Sequence, residues 1–316
     1  MITTKNIENS NSDTPAILTI GTFDGVHLGH KKIIKKLVES AKRRKMRSCI
    51  LTFFPHPRNF LSKSNELKMI NTIKEKKEIL NELGVDELII QEFNNEFSNL
   101  SANEFIKHLL KFCEIKEIIV GFNHKFGKDR EAGIDQLKIY GKKYGFDVCE
   151  IDAFDINQIN VSSTKIRNAI GEGQVDLCKQ YLGYNFSIDG NIVEGKSRGK
   201  KIGFPTANIK VAENYKIIPK NGVYFVSCKI RNVQKFGMMN IGFNPTFGNK
   251  KLTIEVNIFD FEQDVYGENV RIEFIKFIRN EIKFKNIDEL IKQIKIDRET
   301  CKSYMNSTYN LSLIHI

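Results

Sequence analysis

The feature that most constrains the fold is a change of sequence pattern near residue 183 of this 316-residue chain. Before it, apolar runs of strand length alternate with segments that repeat apolar residues at helical spacing. The predicted strands are 16–22, 48–54, 86–91, 117–121 and 147–151, and the predicted helices are 30–44, 72–83, 102–112 (with "SANE" as a capping box) and 131–144. Such alternation is typical of a parallel sheet with right-handed crossovers. Residues 1–183 are therefore predicted to form a doubly wound, Rossmann-like α/β domain.

After residue 183 the pattern becomes a series of short strands separated by Gly and Asn-Pro turns. The predicted strands are 186–194, 222–230, 235–241, 252–259 and 270–278, followed by a helix over 286–306. Repeated short strands with turn signals indicate a small antiparallel β-barrel. A chain of this length also exceeds what one hydrophobic core usually serves. Residues 184–316 are therefore predicted to be a second domain.

Composition excludes several classes of protein. The six cysteines are scattered and none forms C-x-x-C, which argues against a zinc ribbon or a disulfide framework and fits a reducing compartment. The N-terminal "MITTKNIENSNSDTP" has no apolar core of a signal peptide, and no apolar run approaches the length of a membrane span. We therefore expect a cytoplasmic protein that binds no membrane. The net charge of +11 is compatible with nucleic acid or phosphorylated ligands, but a lysine-covered surface explains it equally.

The segment "GTFDGVHLGH" (21–30) joins the first predicted strand to the first helix. In α/β proteins ligands bind at such junctions, and the unpaired N–H groups of a helix N-terminus suit phosphate. Gly29 allows close approach of the backbone to a ligand, and His27 and His30 can donate to phosphate oxygens. Aimed donors stabilise the charge that builds up on a pentavalent phosphorus. A lone histidine would be read as a surface or capping residue, but H-x-G-H at this junction indicates phosphate chemistry.

This segment resembles the H-x-G-H signature of the nucleotidyltransferase superfamily and, more narrowly, the bacterial bifunctional riboflavin kinase/FAD synthetase family. Further motifs of that family follow in one consistent order over about 270 residues. They include "LTFFPHP" (51–57), "FNNEFSNLSANEFI" (93–106), "VGFNHKFG" (120–127), "VSSTKIR" (161–167), "GKSRGKKIGFPTANI" (195–209), "NGVYFV" (221–226), "NIGFNPTFG" (240–248), "LTIEVNIFDF" (252–261) and "IRNEIKF" (278–284). Many members carry an acidic residue where this chain has Phe54.

For the first domain the resemblance implies FMN adenylyltransferase activity. In "VSSTKIRNAI", Ser162, Ser163 or Thr164 can cap the next helix, with Arg167 one turn in. On the residues alone, a plain capped helix with an exposed arginine fits equally well. The resemblance implies that the nucleotide and its phosphates are bound by Gly21, Phe23, Gly29, Ser163 and Thr164, that His27, His30 and Arg167 are catalytic, and that Asn123 and Phe126 bind flavin. The plain alternative for the last two is a polar loop followed by a core phenylalanine.

For the second domain the resemblance implies riboflavin kinase activity. Residues 195–203 hold three glycines and four cations, so they form either a phosphate-binding loop or a solvated hairpin turn. The resemblance favours the first and assigns phosphate binding to Gly195, Lys196, Gly199 and Gly203. It also implies that Thr206 and Asn208 of "GFPTAN" serve the Mg²⁺–ATP complex.

Two further residues of the second domain are candidates. In "LTIEVNIFDF" the alternation turns Glu255 away from the apolar face, which by itself indicates an ordinary exposed carboxylate. The resemblance makes Glu255 the base for the ribityl 5′-hydroxyl. Arg279 is a candidate for flavin or phosphate contact, and an exposed strand-end arginine is equally compatible with its position.

Together these features predict an enzyme that phosphorylates riboflavin to FMN and adenylylates FMN to FAD, with ATP as co-substrate and Mg²⁺ as cofactor. One alternative is that only one activity is retained. Another is a basic RNA-binding protein on a nucleotidyltransferase scaffold. The intact histidines and Glu255 speak against both, so small molecules rather than nucleic acid are the predicted partners. An oligomer is possible.

Overall fold

The computed structural model describes residues 1–10, 13–61, 67–153, 155–156, 159–195, 199, 202–243, 252–261 and 263–309. The chain divides into two compact units, Met1–Ser163 and Thr164–Ile316. Two short helices between residues 163 and 182 follow this division. The predicted domain boundary at residue 183 lies beyond them and stays a prediction.

The first unit is built on a six-stranded sheet in which every strand pair is parallel. Its strands are β1 (Ile2–Lys5), β2 (Ala16–Ile20), β3 (Arg47–Phe54), β4 (Glu87–Glu92), β5 (Ile115–Gly121) and β6 (Asp147–Ile151), in the order β1-β4-β3-β2-β5-β6. The chain runs outward from β2 through β3 to β4, then returns to β5 and β6 on the other side. The order therefore reverses at β2, and a crevice for ligands is expected at its carboxyl end.

Helices cover both faces of this sheet. They are α1 (Leu28–Arg44), α2 (Pro57–Leu61), α3 (Ile73–Glu82), α4 (Asn95–Ser98), α5 (Ala102–Phe112) and α6 (Ile134–Tyr144), with 3₁₀ turns at Ile7–Asn9 and Lys128–Arg130 and a small antiparallel pair, β7 (Asp155–Ile156) and β8 (Ile159–Asn160). Successive residues of β2 point to opposite faces, so Ile17 packs with Leu37 of α1 and Leu18 packs with Ile106 of α5. The predicted doubly wound α/β fold is confirmed.

Capping residues set where these helices begin. The "SANE" prediction is confirmed, because Ser101 accepts from the N–H of Glu104 while the Glu104 side chain accepts from the N–H of Ser101. Thr72 and Glu75 form a second capping box at the start of α3. Helix α1 begins after His27, whose ring accepts from the backbone of His30.

The second unit takes in α7 (Ser163–Gly171) from its second residue and α8 (Val175–Leu182), and continues as a closed antiparallel barrel. The barrel strands are β9 (Ser187–Val193), β10 (Ala207–Val211), β11 (Gly222–Ile230), β12 (Val233–Gly242), β13 (Thr253–Ile258) and β14 (Asn269–Arg279), in the closed order β10-β13-β12-β11-β14-β9. The last helix, α9 (Ile287–Tyr309), packs against β12 and β14, with Cys301 buried beside Phe225. The predicted barrel and closing helix are confirmed.

Besides the short pair β7 and β8, the pattern analysis missed the strands β1 and β10. β1 is mostly polar and exposed and lies at the edge of the sheet, so it has no apolar run to reveal it. β10 begins inside the "GFPTANI" motif, and Ile209 is the only buried residue of this strand. Within the described ranges, no helix combines the length and the apolarity that crossing a bilayer requires.

Candidate functional site

The turn from Gly21 to His27 lies at the carboxyl end of β2, where the strand order reverses. It is unusually tight, because Phe23, Gly25 and Val26 all have positive φ, of 44°, 87° and 34°. Non-glycine residues rarely adopt such values unless their surroundings hold them there. Phe23 and Val26 are buried in the core, and their packing supplies that restraint.

The two histidines of this turn are brought together as predicted. Their rings stack with centroids 3.6 Å apart at 19°, and the edge of Phe23 meets His30 at 5.1 Å. His27 Nδ1 accepts from the N–H of His30 at 3.3 Å, so the proton of a neutral His27 ring belongs on Nε2. Burial lowers the pKa of His27 to about 4. Burial also lowers the pKa of His30 well below its usual value, and the charges of His27 and Lys76 add to the effect.

Both imidazoles are therefore neutral near pH 7. Each then has one N–H donor and one lone pair. His30 Nδ1 is buried and has no hydrogen-bond partner in the part of the chain that the structure describes. The pair stands at the N-terminus of α1, so donors from the rings and from the backbone share one location. This arrangement suits a phosphate group.

The turn that carries His27 is held by hydrogen bonds from one predicted residue, Ser163, and from others that sequence reasoning missed. The Asp24 carboxylate accepts from the N–H groups of Ile70 at 2.9 Å and Asn71 at 3.2 Å. Ser163, a predicted nucleotide-binding residue, donates its hydroxyl to the Asp24 carbonyl at 2.8 Å. Lys76 Nζ donates to the Thr22 carbonyl at 2.6 Å. Asp24 lies inside the motif and could have been suspected, whereas Lys76 is one of several similar lysines in α3 and carries no sequence signal.

Thr164 and Arg167, predicted to act with the histidines, lie in the first turns of α7. Thr164 is exposed and Arg167 is half-buried. Both residues belong to the unit that starts at Thr164. Their role toward a nucleotide stays a prediction.

The loop after β5 borders a cavity of about 750 Å³. Asn123 lines this cavity, together with His124 and Lys125. Phe126 is only 6% exposed and packs against Phe105 and Tyr140, so its surroundings are those of a core residue. Sequence reasoning did not select His124, although it is part of the quoted motif. Burial lowers its pKa to about 4, and the charge of Arg130 contributes.

In the barrel, the predicted catalytic and metal-binding residues converge. The Thr206 hydroxyl donates to Glu255 Oε2 at 3.3 Å. Asn208 on β10 lies directly opposite Glu255 on β13, and Asn240 on β12 lies opposite it on the other side. Residues opposite one another in a sheet project to the same face, so Asn208, Glu255 and Asn240 form a polar row. Asn240 was not predicted.

The glycines of the phosphate-loop prediction lie against this row. A Cβ at Gly195 would overlap the Asn208 side chain, and a Cβ at Gly199 would overlap the Phe204 carbonyl and come within 3.2 Å of Thr206 Oγ1. Gly203 has φ +83° and open space around its Cα. Lys196 lies outside the described residues. The loop thus requires glycine where it meets Thr206 and Asn208.

Arg279 is held by the last helix. Its guanidinium makes a two-pronged ion pair with the buried Asp297 carboxylate of α9, with Nε–Oδ1 at 2.9 Å and Nη2–Oδ2 at 2.7 Å. The same side chain lies 5.9 Å from the Phe284 ring. This geometry gives Arg279 a structural task, and its predicted contact with flavin stays a prediction.

Oxygen atoms of Thr206, Asn208 and Glu255 form a donor set that suits Mg²⁺, a hard cation that keeps waters and binds few protein ligands. Among the residues that the structure describes, no three His, Cys, Asp or Glu side chains meet in a way that could enclose a metal ion. The donor set therefore fits a metal ion that arrives with nucleotide phosphates rather than one held in an all-protein cage.

Comparison with known proteins shows which family the chain belongs to. A family model described as FAD synthetase matches residues 9–165, and one described as riboflavin kinase matches residues 182–305. The chain belongs to the bifunctional riboflavin kinase/FMN adenylyltransferase family. A relative of that name from Listeria monocytogenes is 36% identical over 295 residues, covering 93% of each chain. One from Escherichia coli K12 is 34% identical over 294 residues, covering 92% of this chain and 93% of the relative.

A solved structure shares the whole architecture. The crystal structure described as a macrolide-efflux protein from Streptococcus pneumoniae has a TM-score of 0.88 and 31% identity, and the match covers 96% of this chain and 99% of that one. Its name differs from those of the flavin-enzyme relatives, and the likeness concerns the fold. As a member of the riboflavin kinase/FMN adenylyltransferase family, this chain uses ATP in both units.

Proposed function

We propose that each unit catalyses one of two consecutive steps. The barrel transfers the γ-phosphoryl group of ATP to the 5′-hydroxyl of riboflavin and gives FMN and ADP. The α/β unit transfers the adenylyl group of a second ATP to FMN and gives FAD and pyrophosphate. The observation that carries the proposal is that each unit has its own constellation for phosphate chemistry, His27 with His30 in one and Thr206 with Glu255 in the other.

In the adenylyl step, a phosphate oxygen of FMN attacks the α-phosphorus of ATP. The new P–O bond forms as the bond to the β-phosphate breaks, and pyrophosphate leaves. The attacking oxygen is already an anion at neutral pH, so the step needs no base. The neutral His27 and His30 donate to oxygens on which charge develops, and the N-terminus of α1 adds backbone donors. Catalysis here is positioning and charge stabilisation.

In the kinase step, the hydroxyl of riboflavin is a poor nucleophile until its proton is taken. Glu255 is the group assigned to accept that proton. The hydrogen bond from Thr206 orients the carboxylate. Gly195 and Gly199 allow backbone N–H groups to come close to the ATP phosphates.

Mg²⁺ would be held by Thr206 and Asn208 together with the ATP phosphates, and would neutralise the charge of the transferred group and the leaving group. The proposed small-molecule partners are riboflavin, FMN and ATP. Because this chemistry consumes ATP, we place it in the cytoplasm.

The test is incubation of the full chain with riboflavin, ATP and Mg²⁺, followed by chromatographic separation of FMN and FAD, and a second incubation that starts from FMN. Both products are expected in the first and FAD in the second. If the first incubation yields FMN alone and the second yields no FAD, the chain is a riboflavin kinase only. If FAD forms only when FMN is supplied, the chain is an adenylyltransferase only. Neither product, with salt-sensitive retention of RNA, would overturn the proposal.

A further inference from the structure

Helix α3 contains a buried lysine that the mechanism above does not use. Lys76 is 2% exposed, while its neighbours Lys74 and Lys77 are exposed on the same helix. Burying an ammonium group is unfavourable unless hydrogen bonds and opposite charge compensate. The compensation comes from the Thr22 carbonyl at 2.6 Å, the Thr52 hydroxyl at 3.3 Å and the nearby Asp24 carboxylate. Burial lowers the pKa of Lys76 to about 8, with the charge of Asp24 opposing that shift.

These partners place the ammonium under the histidine turn. Thr22 is the second residue of the turn, and Thr52 lies on the neighbouring strand β3. In the opposite direction, the Asp24 carboxylate of the turn binds the N–H groups of Ile70 and Asn71, just before α3 begins. Hydrogen bonds given by each segment to the other thus link the turn to α3 and the residues just before it.

The charge of the ammonium also acts on the His30 ring. Three effects lower the pKa of the His30 ring: burial, the neighbouring His27 and the charge of Lys76. A positive charge beside the ring disfavours the imidazolium form. The same charge keeps one face of the site positive while both imidazoles stay neutral.

We propose that Lys76 is a positioning residue for adenylyl transfer: its buried ammonium fixes the backbone of the turn that carries His27 and His30 and supplies the positive charge beneath them. This inference rests on the proposed adenylyl step. Lys76 acts through the histidines, so its loss should lower kcat more than it raises KM, because a displaced donor weakens stabilisation of the transition state.

The test compares Lys76→Met and Lys76→Gln with the matched controls Lys77→Met and Lys77→Gln in the full chain. Met removes both charge and donor, whereas Gln keeps a donor and removes the charge. FAD formation from FMN and ATP is expected to fall about 10²-fold in kcat for Lys76→Met, the cost of a small misplacement of catalytic groups. A smaller loss is expected for Lys76→Gln. Riboflavin phosphorylation in the same samples serves as an internal reference.

The second readout is the pKa of the His30 ring, measured by NMR titration of 15N-histidine-labelled protein. It should rise in both Lys76 variants and stay unchanged in both Lys77 variants. A purely structural lysine would lower the melting temperature but would leave kcat per folded molecule within about threefold of the controls. That result, or an unchanged His30 pKa in a folded Lys76→Gln protein, overturns the inference. Absence of FAD formation by the unaltered chain would instead contradict the proposed function.

Discussion

In the proposed mechanism, the two units use chemically different side chains toward ATP. The α/β unit presents two neutral, stacked imidazoles on a tight, restrained turn. The barrel presents Thr206, Asn208 and Glu255, all oxygen-bearing, on the surface of neighbouring strands. The difference follows from the nucleophile. A phosphate is already anionic and needs only donors for the developing charge, whereas a hydroxyl needs a group that takes its proton.

The two units also differ in how helices cover their sheets. The sheet of the first unit is buried on both faces by its own helices. The barrel of the second unit is covered in part by α8, which packs on β14 and contributes the buried Val175, Tyr181 and Leu182. Asp176 on α8 also forms an ion pair with Lys276 on β14 at 2.7 Å.

The largest expected effect is therefore on a truncated barrel. A fragment of residues 164–316 should fold and phosphorylate riboflavin. A fragment of residues 184–316 should be several kcal/mol less stable to unfolding, because it lacks the large apolar side chains of α8, each of which contributes roughly 1.5–3 kcal/mol when buried. Urea unfolding of the two fragments measures the difference. Equal midpoints and equal kinase activity would place the functional boundary at residue 183, as the sequence pattern predicts.

Next in size is the effect of Glu255→Gln on FMN formation. Glutamine keeps the size and can still accept a hydrogen bond from Thr206, but it cannot take the proton of the ribityl hydroxyl. The kinase rate should fall by about 10²–10⁴-fold, the usual contribution of a general base. FAD formation from supplied FMN should continue unchanged. Glu273→Gln, on β14 of the same barrel, is the control and should leave both rates as they are. A kinase rate within a few-fold of the unaltered enzyme would return Glu255 to the status of an ordinary exposed carboxylate.

The corresponding test of the adenylyltransferase activity is His30→Ala. Loss of one transition-state donor typically costs about 10²–10³ in rate, so FAD formation should fall by that factor while FMN formation persists. His108→Ala removes a histidine of the same unit that pairs with Glu8 at 2.8 Å, and should leave both activities intact. The measurement is the initial rate of each product by chromatography. Undiminished FAD synthesis by His30→Ala would remove the histidine pair from the mechanism.

The apolar pattern predicted the fold, and the motifs that resemble a known family supplied candidate site residues as distant in sequence as Thr206 and Glu255, which the structure brings together. The alternation of apolar residues revealed the central strands, and H-x-G-H and "GFPTAN" marked turns whose chemistry is local. Lys76 could not be predicted, since its role arises from a contact with Thr22 across 54 positions of the chain. Arg279 likewise acquires its partner, Asp297, only when α9 folds back on β14.

Phe126 shows that a motif does not by itself assign a role to each of its residues, and its contact with flavin stays a prediction. Phe126 lies in the motif "VGFNHKFG", yet its ring is enclosed by Phe105 and Tyr140. A short motif does not reveal which of its residues face solvent when the loop turns sharply, as this one does at Gly127 with φ 78°. The exposed Asn123 is the residue that lines the cavity.

The smallest expected effect is a difference in acid stability between the units. His27 has a pKa of about 4 in the folded protein, against about 6.5 when unfolded. The unfolded chain therefore binds more protons between these values, and the folded first unit loses stability as pH falls from about 6.5 toward 4. A shift of this size corresponds to about 3 kcal/mol when complete. His30 and His124 shift in the same direction. The described part of the second unit contains no histidine, so it lacks this contribution.

Thermal unfolding of the full chain at pH 7, 6 and 5 should thus show the first unit's transition moving to lower temperature. Histidine titration should leave the transition of a 164–309 fragment, which excludes His315, in place. His27→Asn sharpens the assignment, because asparagine can still accept the N–H of His30 as an N-cap but does not titrate. The slope of the first unit's stability against pH should be shallower in that variant than in the unaltered protein. An identical slope would mean that His27 is not buried as a neutral ring, and the contrast drawn between neutral donors in one unit and a proton acceptor in the other would lose its physical basis.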